Sequence, residues 1–173
     1  MSWVFDGPPQ ALMPKILDDL ERAATEDGHF YRDQAFVSLA GRYILEDQHG
    51  RVTEPALGVF LHESGKRLEA LGQRRVAGFV VRVDDYALEA ETEETMWFTV
   101  SLYRSALQVI VDDYASTPVP AWLHPDEFDE IDEQIRMSAR WQFPVAPERI
   151  PSQLAPNHWW WTLPGENGLP FAP

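Results

Sequence analysis

The chain has 173 residues, no cysteine, and 28 Asp and Glu against 14 Lys and Arg, for a net charge of −14. At that length, with 45% apolar residues, seven Trp and nine Phe, it suits one domain that buries roughly 70% of its unfolded surface. The lack of cysteine excludes disulfide scaffolds, thiolate zinc sites and cysteine nucleophiles and fits a cytoplasmic setting. The acidity disfavours direct contact with nucleic acid or anionic lipid and favours a basic partner.

The opening Met-Ser-Trp-Val-Phe-Asp-Gly-Pro-Pro has no basic segment followed by an apolar run, so no secretory signal is expected. No apolar stretch approaches the roughly 18 residues of a membrane span. Residues 8–28 predict a helix: Leu12, Met13, Ile16, Leu17, Leu20, Ala23 and Ala24 recur at three- and four-residue intervals. Pro14 is tolerated only in a first turn, which places the regular part from near Met13, and Gly28 is its expected stop.

Gln34 to Glu46 alternates Phe36, Ser38 and Ala40 with Val37 and Leu39, and predicts a long or bent strand with a bulge at Gly41. Asp47 to Gly50 predicts a turn, with Gly50 at positive φ. Residues 56–62 predict a strand and 63–73 a short helix. Ser64-Gly65-Lys66 fails as a phosphate loop, because Phe60 stands where the earlier glycine is needed and Arg67 where Ser or Thr is needed.

Two similar segments follow, Val-Arg-Val-Asp-Asp-Tyr-Ala at 81–87 and Val-Ile-Val-Asp-Asp-Tyr-Ala at 109–115. Gly78 to Ala90 predicts one strand, Phe79 to Val83 running through Asp84-Asp85, Thr95 to Tyr103 a second and Leu107 to Val111 a third. A single helix over 92–114 is the rival, since Met96, Val100, Tyr103, Leu107 and Ile110 also fit helical spacing. The β-branched density of Thr99, Val100, Val109, Ile110 and Val111 favours strands. From Pro125 a helix is expected, with Phe128, Ile131, Ile135 and Ala139 as its buried stripe, acids at its start and Arg136 and Arg140 near its end.

From Pro144 the chain has seven prolines and the run Trp159-Trp160-Trp161. That composition predicts an extended arm, 144–173, laid on a domain of residues 1–143, with alternate tryptophans as its anchors. The expected fold class is therefore α+β: one domain, mainly antiparallel sheet, with two or three helices and a proline/tryptophan-rich C-terminal arm.

Charge is the feature that points to function. Residues 83–135 contain fourteen acids and a single base, Arg104, so they hold −13 of the net −14. In a strand meander both Asp-Asp pairs would leave the same sheet end about 10 Å apart. Asp84, Asp85, Asp112, Asp113, Asp126, Glu127, Asp129, Glu130, Asp132 and Glu133 are the expected partner-binding residues. They would attract a basic protein and speed its encounter.

In size, acidity and lack of cysteine the chain resembles the immunity proteins that neutralise bacterial nuclease or other enzymatic toxins. That likeness transfers no site residue; it implies an inhibitor that occludes a basic enzyme's active cleft. The alternative is an enzyme dependent on a metal or on carboxylates, using the strand-end aspartates. No His-Glu-x-x-His, no Gly-x-Ser-x-Gly and no cofactor motif is present, so no catalytic residue, metal ligand or cofactor is assigned.

Overall fold

Helix α1 (Pro9–Thr25) forms where the apolar spacing predicts it, and Met13, Ile16, Leu20 and Ala23 are buried along one stripe. It starts at Pro9 rather than near Met13, with Pro14 inside it. The computed structural model describes residues 3–25, 29–93, 96–154 and 156–166; the expected stop at Gly28 and strand start at Thr95 lie outside them. The expected α+β fold is overturned, because every regular element among the described residues is helical and none is a strand.

The segment expected as a long strand is helix α2 (His29–His49), and residues 35–42 are buried at every position. A helix enclosed on all sides needs no polar face, so its sequence lacks the 3.6-residue alternation that marks a half-exposed helix. Gly41 is no bulge. A Cβ there would lie 2.3 Å from the Phe5 ring, so the glycine admits the N-terminal segment against α2. Gly50 ends the helix at φ +94°, the turn its position predicts.

Helices α3 (Glu54–Leu71) and α4 (Gln73–Glu89) are separated by Gly72 alone, at φ +76°. The expected strand at 56–62 is part of α3, and that at 78–90 is part of α4 with its C-cap Ala90. The second and third central strands are one helix, α5 (Trp97–Asp113), buried continuously from Trp97 to Leu107 except for Phe98. Arg104 and Ser105, which fall between the second and third expected strands, sit in its middle. Burial on all sides selects β-branched residues for their volume and overrides their strand preference.

After the short helix α6 (Val119–Trp122), a 3-10 turn at Pro125–Glu127 leads into α7 (Phe128–Ala139). Its buried stripe is the expected one: Phe128, Ile131, Ile135 and Ala139. Contacts run from α1 through α2 to α5, and from α5 through α4 to α7, with α3 bridging α1 and α4. Beyond α7 come 3-10 turns at Pro147–Arg149 and Trp159–Trp161 and the short helix α8 (Leu163–Glu166). The buried tryptophans are the neighbours Trp160 and Trp161, not alternate ones. Trp97 Nε1 donates to the Trp160 carbonyl at 2.8 Å, which ties the segment to α5.

Candidate functional site: an acidic face on α4 and α7

Helix α7 is amphipathic, and packing its apolar stripe inward leaves Asp129, Glu130 and Glu133 exposed, continuing the exposed Asp126 and Glu127 of the preceding turn. Helix α4 packs on α7 and ends in Glu89, followed by Glu91 and Glu93, all exposed. Gln134 Nε2 donates to Glu91 Oε1 at 2.8 Å, joining the end of α4 to the middle of α7. On the other flank, Asp112 accepts from Gln108 at 3.0 Å, Gln108 accepts from Arg104 at 3.5 Å, and Arg104 Nε donates to Asp132 at 2.7 Å. Hydrogen bonds thereby link a carboxylate just beyond α4 and one at the end of α5 to α7.

The ten expected residues do not all contribute. Asp126, Glu127, Asp129, Glu130 and Glu133 face water, and Asp112 is exposed at the end of α5. Glu133 meets Arg136 at 3.6 Å between two well-exposed side chains, a pairing that contributes little. Asp84 is half-buried, and Asp85 meets Arg82 at 3.4 Å. Asp113 and Asp132 turn inward.

Asp113 accepts from Arg42 at 3.0 Å and from the Tyr43 hydroxyl at 2.9 Å, and Arg42 also holds Glu46 at 2.6 Å. Burial raises the Asp113 pKa, and Arg42 opposes the rise. Burial likewise pushes the Tyr43 hydroxyl well above its usual range. The two Asp-Asp pairs therefore do not leave a common sheet end: one lies within α4 and the other closes α5. Asp113 is held in an ion pair with Arg42 and a hydrogen bond from Tyr43. The sequence reading passed over Glu89, Glu91 and Glu93 as site residues. Their signal was available, since three acids with no base crowd the end of one helix.

Beneath α7 lies a buried polar knot. Trp160 Nε1 and Trp161 Nε1 donate to Ser105 Oγ at 3.1 and 2.9 Å, and His158 Nδ1 lies 2.9 Å from the same oxygen. A hydroxyl has two lone pairs and one proton. Trp161 Nε1 and Trp160 Nε1, the latter shared with the Ser101 carbonyl at 3.2 Å, both point their hydrogens at this oxygen, which leaves the hydroxyl proton for Nδ1 of a neutral His158 with its hydrogen on Nε2. Burial, reinforced by the Arg104 cation, lowers the His158 pKa to about 4. The Arg104 guanidinium lies 4.4 Å over Trp160 and 4.8 Å over Phe128, so the ion pair that holds Asp132 rests on this floor.

Among the described residues no cluster of three or more His, Asp or Glu is placed to hold a metal ion, and no helix is long and apolar enough to cross a membrane. Comparison with known proteins finds no matching family model, no similar curated protein and no similar solved structure.

Proposed function

We propose that the protein is a cytoplasmic binder of a basic protein, and that its acidic face on α4 and α7 occludes the partner's functional cleft. An enzymatic toxin or nuclease is the partner class that best fits a small, acidic, cysteine-free inhibitor. The observation that carries this reading is where the acids of α4 sit. A helix carries partial negative charge at its C-terminus, so acids there oppose the macrodipole. Glu89 lies in the last turn, Glu91 and Glu93 follow it, and no base occupies that turn. Stability alone favours the opposite arrangement, whereas a cationic partner rewards this one.

The test uses the product of the gene adjacent to this one in its source genome as the candidate partner, with association followed by stopped flow. The on-rate is expected to fall steeply as salt rises. The variant D126S/D129S/E130S/E133S, which leaves the buried Asp132 in place, is expected to weaken affinity at least tenfold while keeping the helical circular dichroism. An on-rate indifferent to salt, or an affinity unchanged in the variant, contradicts the proposal.

A further inference from the structure

A concavity runs along α4, from Arg74 in its first turn to Tyr86 in its last. It is a groove of about 1190 Å³ between the first turns of α2, one side of α4 and Tyr103 of α5, beyond the roughly 300–1,000 Å³ of ordinary ligand pockets. Four of the fourteen Lys and Arg residues of the chain, Arg32, Arg74, Arg75 and Arg82, line it. In a chain of net charge −14 that is a marked concentration of cations.

The floor is built around Asp33. Its Oδ1 accepts from Arg32 Nε and Nη2 at 2.8 and 2.6 Å, and Arg32 Nη1 reaches the Arg75 carbonyl at 3.3 Å, so the buried guanidinium is fixed. Gly78 makes room for it: a Cβ at that position would lie 2.8 Å from Arg32 Nη1. Arg82 is held loosely, 3.4 Å from Asp33 and 3.4 Å from Asp85 at the rim; those separations exceed a strong charge-assisted hydrogen bond and leave its donors available. Arg75 caps the Ala24 carbonyl at 2.7 Å, and the exposed Arg74 has no acidic partner among the described residues. Counting Asp85, four guanidinia meet two carboxylates. Arg74 and Arg75 also sit in the first turn of α4, where positive charge opposes the helix dipole.

The walls are aromatic. The Tyr86 and Tyr103 rings lie 4.5 Å apart, Trp3 packs edge-on to Tyr103 at 5.9 Å, and Arg82 lies over Tyr86 at 5.2 Å. At the mouth two large apolar side chains face water, Phe30 at 56% exposure and Val81 at 61%. Surplus guanidinium donors beside aromatic walls and an apolar mouth are complementary to an anionic group on an aromatic body. From this we infer that the groove binds a small organic anion, with the anionic group on Arg74 and Arg82 and the aromatic part against Tyr86 and the Phe30–Val81 mouth. The inference is independent of the acidic face and stands or falls without it.

The probe is 8-anilinonaphthalene-1-sulfonate, titrated by fluorescence into the native protein. Binding is expected to saturate at one site and to weaken about tenfold or more in R74Q/R82Q and in V81E, which puts a carboxylate at the mouth. It should weaken with added salt and change less than twofold in D126S/D129S/E130S/E133S. The uncharged N-phenyl-1-naphthylamine should bind at least tenfold more weakly than the sulfonate. Val81 is exposed, so V81E decides the matter even if R74Q/R82Q fails to fold. Non-saturating binding, equal affinity in V81E and wild type, or equal affinity for the uncharged probe overturns the inference.

Discussion

The two ends of α4 differ in almost every physical respect. At its N-terminus the side chains are Arg74 and Arg75, which line a groove with Arg32 of α2, Arg75 being fixed on the Ala24 carbonyl. At its C-terminus they are glutamates spread over an open surface with α7, linked to it through Gln134. Each end carries the charge that the helix dipole disfavours. Arginine grips by directional hydrogen bonds in a concavity, whereas solvated carboxylates act at longer range on the rate of encounter. One end is therefore suited to holding a small anion and the other to drawing in a large cationic surface.

The largest expected effect separates the two ends through Arg104. Its pair with Asp132 is buried, with side-chain exposures of 4% and 13%. Arg104→Met leaves a carboxylate without its cation and is expected to cost about 3 kcal/mol in urea unfolding. Under native conditions it should lower affinity for the basic partner and leave probe binding in the groove unchanged. A stability within about 0.5 kcal/mol of wild type, on the scale of ordinary surface substitutions, would show that Asp132 does not depend on this pair.

A smaller effect comes from pH. His158 titrates near 4 in the folded protein against 6.5 in its ordinary state. The unfolded chain therefore binds the extra proton first as pH falls. The stability that neutral His158 contributes is complete above about pH 6.5 and is lost as pH falls to about 4. The span corresponds to roughly 3 kcal/mol at most. Unfolding free energies of wild type and His158→Gln, measured from pH 7 to 4, should differ by an amount that shrinks across this window. A difference independent of pH would remove the neutral imidazole from the knot beneath α7.

Legibility in the sequence followed exposure. Helices α1 and α7 lie at the surface, so each needs a polar face, and their buried stripes stand out in the residue spacing. Helices α2 and α5 are enclosed by neighbours; their apolar residues point in all directions, and both helical and alternating patterns fit them. In α5 the β-branched residues from Thr99 to Val111 tipped the reading towards strands, although the helical spacing of Met96, Val100, Tyr103, Leu107 and Ile110 was already visible.

The charge partition was also visible, but its direction was not. Arg42 and Asp113 lie 71 positions apart, and Arg104 and Asp132 lie 28 apart. Nothing local distinguishes these inward carboxylates from Asp112 or Glu133 beside them. The groove escaped notice for a related reason: its arginines come from α2 and α4, and only the packing of those helices brings them together.

The central claim is that α4 keeps its terminal charges against its own stability. The direct measurement is the urea-unfolding free energy of R74Q/E89Q beside wild type. Removing two charges that oppose the dipole is predicted to raise stability by about 1 kcal/mol, while binding of both the anionic probe and the basic partner weakens. A variant less stable than wild type, or one that keeps both affinities, would contradict the account.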